Sequence, residues 1–241
     1  MNVSPSNDTP TSHELPTWLW LWLVPSILAA QLIIRAVSPE FATEHLSGEL
    51  GVIENLTVVI LIPAILVVGY LLTMRAYFPN PWLTVWFAGL GLACVYFAGE
   101  EASWGQHWFG WDTPEGVKEF NDQGETNLHN TSSWFDQKPR LIVEISALIG
   151  GFILPLVRRH RGVNLMPGSW QYLFWPSWVC LPVSLIVGLI KIPDRLFGSA
   201  GIPYPFNIRV SETQELYVAL AFLIYFASVA VRVRRQKMET S

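Results

Sequence analysis

Charge is scarce in this chain. Asp, Glu, Lys and Arg make up 14% of its 241 residues, against about 25% in a soluble globular domain. So little charge cannot cover a water-exposed surface, and the hydrophobic share of 51% points to lipid as the solvent. A net charge of -4 excludes the basic footprint of a nucleic-acid-binding protein. Cysteine is nearly missing too: Cys94 and Cys180 both fall inside apolar runs, which excludes a disulfide framework and reads as small hydrophobes. No Lys or Arg precedes the first apolar run, so the N-terminus lacks the positive region of a cleaved signal peptide. The first hydrophobic helix is therefore expected to be retained.

What fills the chain instead is a series of hydrophobic windows of the length that crosses a hydrocarbon core, about 20 residues. Six spans are predicted: Thr17 to Val37, Gly51 to Thr73, Pro81 to Gly99, Leu141 to Val157, Trp170 to Ile190 and Thr213 to Val231. Turn chemistry separates them at Ser38-Pro39, Phe78 to Pro81, Met166 to Gly168 and Gly198 to Pro205. The expected fold is all-α, a polytopic membrane bundle over residues 17–232 with a disordered tail at 1–16 and a basic tail at 233–241. Pro63, Pro155, Pro176 and Pro182 read as kinks, and Gly89, Gly91, Gly150 and Gly151 as close helix contacts.

Basic residues set the expected orientation. Arg75, the Arg158 to Arg161 turn and the Arg232 to Lys237 tail lie on one side, close to span ends, where the positive-inside rule has force. Both termini are accordingly placed in the cytoplasm of a bacterial inner membrane. The acids lie on the opposite side: of the 19 Asp and Glu, all but Asp8, Glu14 and Glu239.

Antiparallel ordering then gives the main inference. Glu54, Glu144 and Glu215 near the starts of their spans and Glu100 and Glu101 at the close of theirs all meet at one face, joined there by Arg35 and Lys191 at the ends of spans one and five. An ionisable side chain within a span costs about 2.5 kcal/mol or more, so such residues face a cavity or a partner. Their arrival at one level from six helices predicts a shared polar pocket.

The segment that closes this end runs from Ala98 to Asn130. If the third helix continues past Gly99, Glu100, Ser103 and His107 share a face. Trp104, Trp108 and Trp111 suit the water boundary. Thr113-Pro114-Glu115 is a helix start, which predicts a short interfacial or re-entrant helix from Pro114 to Gln123 between spans three and four. Beyond it, Glu125 and His129 are spaced i, i+4 if helical, able to share a metal ion or to let a carboxylate orient an imidazole. A capping network of Asn121, Asn127 and Asn130 serves those residues equally well.

GEEASWGQ followed by NDQGETNLHN resembles the signature of an uncharacterised bacterial multi-pass membrane family, GEExSWGQ, then TPE, then NxQxETNLHN. The likeness extends to Glu49 to Leu56 and to Ser211 to Leu216, and it brings no activity with it. The alkaline ceramidase and progestin/adiponectin receptor superfamily is also a helical bundle with His and acids near one face. It carries an HxxxH motif, which His13, His45, His107, His129 and His160 do not form. Membrane desaturases need more histidines than these five.

The candidate catalytic residues are Glu100, Glu101, His107, Glu125 and His129. Candidate substrate contacts are Arg35, Glu54, Ser103, Gln106, Asn121, Asn127, Asn130, Glu144, Lys191 and Glu215. A divalent metal on Glu100, Glu101, Glu125 and His129 stays open, since neither the pair nor E-x-x-x-H specifies one. The leading reading is an enzyme acting on a membrane lipid or lipid-linked substrate at the extracytoplasmic face. An ion- or proton-coupled carrier and a non-catalytic subunit or receptor, with an oligomer or partner subunit, are the alternatives.

Overall fold

The computed structural model describes residues 14–48, 51–118, 126, 133–201 and 208–240. Six helices are long and apolar enough to cross a membrane: α1 (Trp18–Val37), α2 (Val52–Thr73), α3 (Trp82–Glu101), α4 (Lys138–His160), α5 (Trp170–Ser199) and α6 (Val210–Glu239). No strand occurs among the described residues. All six expected spans are present. The last three are longer than their apolar runs, because the chain keeps its helical hydrogen bonds through flanking polar residues such as Lys138, Arg140 and Arg232.

α6 is the axis of the bundle. Its apolar window is 72% buried within the protein, against 17% for α1 and for α3, so α6 is enclosed by its neighbours while those two face outward. The cause is visible in its sequence: Leu216, Tyr217, Ala219, Phe226, Val229 and Val233 are all buried, and they point to every side of the helix. α2 packs along most of α6, α3 packs on α2, and α5 packs against both α4 and α6. Tyr217 ties in α1 by donating to the Val24 carbonyl at 2.8 Å.

The outside of the bundle is as greasy as its inside. Val59, Ile62 and Leu66 on α2, Val85 and Leu92 on α3, and Ile142 and Ile145 on α4 are all exposed. Contiguous apolar surface of this extent is an aggregation liability in water and the expected coat in lipid.

The prolines act in three ways. Pro25 and Pro155 each follow a π-helical turn, Trp18–Leu23 and Ala147–Ile153, where widened hydrogen bonding absorbs the missing N–H. Pro63 sits inside an uninterrupted α2. Pro176 breaks α5: Trp175 before it and Ser177 after it are extended. Among the glycines, Gly91 and Gly151 do mark close approaches, a Cβ there lying 3.0 Å from Val68 and 2.0 Å from Ser184. Gly89 does not, since it faces open space, and Gly188, against Leu148, is a close contact the sequence did not single out.

Candidate functional site

α3 continues past Gly99 by only two residues. It ends at Glu101, and Ser103, Trp104 and Gly105 all take positive φ, 43°, 55° and 96°. The expected common face of Glu100, Ser103 and His107 is thereby broken: Ser103 is buried in the turn, and the chain reverses through it. The reversal folds Trp104 back over α3, where its indole N–H donates to Glu100 at 2.8 Å. Gly99 lies under that ring, and any side chain there would collide with it at 2.8 Å. Gly105 is required twice, by its φ of 96° and by Trp111, 2.8 Å from where a Cβ would stand. Most of GEExSWGQ is thus accounted for by a reversal that holds itself shut.

Gln106 extends the lock. Its amide donates to the Thr113 hydroxyl at 2.8 Å, and its carbonyl accepts from the Thr126 N–H at 2.8 Å and the Thr126 hydroxyl at 2.9 Å. One side chain therefore holds together the SWGQ turn, the TPE segment and the ETNLHN segment. Thr113 is buried, and the short helix that follows begins at Glu115 and is described to Lys118. Trp104, Trp108 and Trp111 are all exposed, as residues of an aromatic belt would be.

Glu101 is the residue of the motif that the lock does not use. It lines a cavity of about 180 Å³ together with Tyr96, Phe97 and Glu100 of α3, Arg140 and Val143 of α4, and Glu215 and Phe222 of α6. Arg140 and Glu215 form an ion pair across it. Glu101 makes no hydrogen bond among the described residues, and it lies within electrostatic range of Glu215, Glu54, Arg140 and Glu212. The cavity is amphipathic. Its polar end carries Glu100, Glu101, Arg140 and Glu215, and its wall is lined by Ala93, Phe97, Val143, Val218 and Phe222.

The other candidate contacts divide among neighbouring clusters at the same end of the bundle. Glu54 comes near Glu101. Arg35, buried, donates to Ser47 at 2.7 Å and faces Glu212, which accepts from Arg209 at 2.8 Å and from the Gly48 N–H at 3.2 Å. Glu144 accepts from Gln214 at 3.2 Å and stands 3.8 Å from Arg195. Lys191 is half-buried on α5 and does not line the cavity. The five acids and two bases thus share a level but not a single chamber. Asn121, Glu125, Asn127, His129, Asn130 and the His107 side chain lie outside the described residues. Among the described residues no three His, Cys, Asp or Glu side chains are placed to share a metal ion.

Sequence reasoning missed Arg140, the cation that lines the cavity among the described residues, because the fourth apolar run starts one residue later. Its i, i+4 spacing from Glu144 was the available signal. Also missed was a charged cluster at the opposite end. Glu14, from the N-terminal segment, is buried there and accepts from Ser177 and, at 2.6 Å, from Ser228. Arg232 stands 3.9 Å from Glu14 and donates to the Tyr172 and Trp175 carbonyls, which the break at Pro176 leaves without helical partners. Arg158 similarly donates to the Pro176 carbonyl at 2.8 Å.

Six spanning helices around an apolar axis define a multi-pass membrane protein. No protein-family model, curated protein sequence or solved structure matches the chain.

Proposed function

We propose that this protein is an integral-membrane enzyme that acts on a lipid or lipid-linked substrate in the cavity between α3, α4 and α6. The observation that carries the reading is Glu101: a carboxylate without a hydrogen-bond donor among the described residues, facing a cavity whose other wall is apolar. A carboxylate so placed can take or give a proton at a bound head group. Arg140 and Glu215 flank it and hold its surroundings polar. The Gln106 bonds hold Thr126 beside the end of α3, and Glu125, His107 and His129 are the proposed partners of Glu101. A divalent metal held by Glu100, Glu101, Glu125 and His129 would be compatible with this assignment.

The proposed setting is a bacterial inner membrane, with both termini cytoplasmic and the cavity at the extracytoplasmic end, on the strength of the basic turns at the other end. Membership of the GEExSWGQ family belongs to the same proposal. The lock built from Gly99, Glu100, Trp104, Gly105 and Gln106 supports it by giving those letters a common physical purpose.

The test compares lipid extracts, by mass spectrometry, from cells lacking the protein, cells expressing it, and cells expressing Glu101→Gln at equal membrane levels. Loss of the protein and Glu101→Gln should accumulate the same lipid. Identical extracts from wild type and variant would remove Glu101 from the chemistry. A carrier needs a polar route to the other end, and between Glu215 and Ser228 α6 presents only apolar and tyrosine side chains.

A further inference from the structure

The cavity specifies more about its occupant than that it is amphipathic. We propose that it receives a membrane lipid whose head group bears a protonated amine, and that this lipid enters sideways between α3 and α4. The inference rests on the reading of the cavity as a lipid site.

Charge is the first reason. Among the described residues, Glu100, Glu101 and Glu215 line the polar end together with Arg140, which is paired with Glu215. Glu54 and Glu212 add further negative potential at Glu101. Within a low-dielectric bundle such like charges repel strongly. A phosphate at Glu101 would add to the repulsion, whereas an ammonium relieves it and supplies three N–H donors. Its bond to Glu101 would be charge-assisted, the stronger kind. The Tyr96 ring lines the same space, with Trp104 edge-on to it at 6.3 Å, and an aromatic wall favours a cation again.

Access and size give the second reason. α3 is packed on α2 and α4 on α5, and among the described residues α3 and α4 have little direct contact with each other. Among the described residues the cavity between them reaches α6, with Ala93, Tyr96 and Pro139 exposed at its rim. From Glu215 to Phe222 the α6 wall is about 10 Å deep. At about 180 Å³ the cavity is smaller than the roughly 300 Å³ at which whole-ligand pockets begin. It holds a head and the top of a chain, and the remaining chain stays in the bilayer.

The experiment uses the full chain in nanodiscs made with equal amounts of phosphatidylethanolamine and phosphatidylglycerol of identical acyl chains, and native mass spectrometry of the retained lipid. These lipids share a phosphate and differ in a terminal amine against a glycerol. Wild type should retain the amine lipid about tenfold over the other, the worth of one charge-assisted bond. Glu101→Gln should erase that preference, and Ala93→Trp, which fills the rim, should abolish retention of both. Equal retention, or preference for phosphatidylglycerol, overturns the amine assignment while leaving a lipid site. Retention untouched by Ala93→Trp overturns the sideways entry even where Glu101→Gln does not fold. If wild type retains neither lipid, the cavity is not a lipid site and both readings fall. Amine-selective retention without any lipid change in cells leaves this inference standing and removes the enzyme.

Discussion

Trp104 lies across Gly99, its ring 2.8 Å from where a Cβ would stand and its N–H bonded to Glu100. Gly99→Ala should therefore destabilise the protein although alanine is the better helix former. The collision costs about 1–3 kcal/mol, more than the 0.5–1 kcal/mol or so that alanine gains. Thermal unfolding in detergent checks this, and the background decides it. In Trp104→Ala, Gly99→Ala should become neutral or stabilising; an equal loss in both backgrounds would mean that the ring is not what Gly99 accommodates.

Gln106→Ala removes three hydrogen bonds at once, each worth about 1 kcal/mol net. Limited proteolysis should then cut between α3 and α4 faster than in wild type. Gln106→Glu keeps the acceptor for Thr126 and loses the donor to Thr113, so its cleavage should be intermediate. Cleavage at the wild-type rate in both variants would show that the three motif segments are held together by something else.

The Arg140–Glu215 pair is mostly buried, its side chains 16% and 12% exposed. Removing either partner leaves the other charge inside the bundle, at a cost of about 3 kcal/mol. Arg140→Met and Glu215→Gln should each lower the unfolding temperature. The exchanged double variant Arg140→Glu with Glu215→Arg should recover part of the loss, with a coupling energy of about 1–3 kcal/mol. Additive losses would contradict the ion pair.

At the other end, Arg232 is 1% exposed and has Glu14 as its counter-charge. Glu14→Gln keeps the shape and an acceptor for Ser177 and Ser228 but withdraws the charge. Unfolding free energy should fall by about 3 kcal/mol. A chain beginning at Thr17 should lose as much. Should the truncated chain prove as stable as the whole, Glu14 is a passenger.

The spans were readable because lipid demands long apolar windows, and the convergence of charges because antiparallel order leaves no alternative. Which charges meet was not readable. Gln214 and Glu215 are consecutive on α6, yet one faces Glu144 and α5 while the other faces Arg140 and the cavity. That division depends on how each helix is rotated about its axis, which packing decides and an apolar count cannot show. The reversal after Glu101 was hidden for a different reason: left-handed φ at Ser103 and Trp104 is not what those residue types announce. Glu14 reads as part of a tail because its partners, Ser177, Ser228 and Arg232, are far away in sequence and close only in the folded bundle.

From Glu215 to Arg232 α6 is a single unbroken helix of about 25 Å, measured at 1.5 Å per residue. A bilayer core is about 30 Å thick. The two charged layers therefore stand closer together than the two faces of an undisturbed bilayer, a hydrophobic mismatch of a few Å. If the proposed lipid binds, its head reaches Glu101 only by sinking below the level of its neighbours, and the leaflet would dimple around the cavity between α3 and α4. On that proposal the thickness of the membrane would set how easily the lipid arrives.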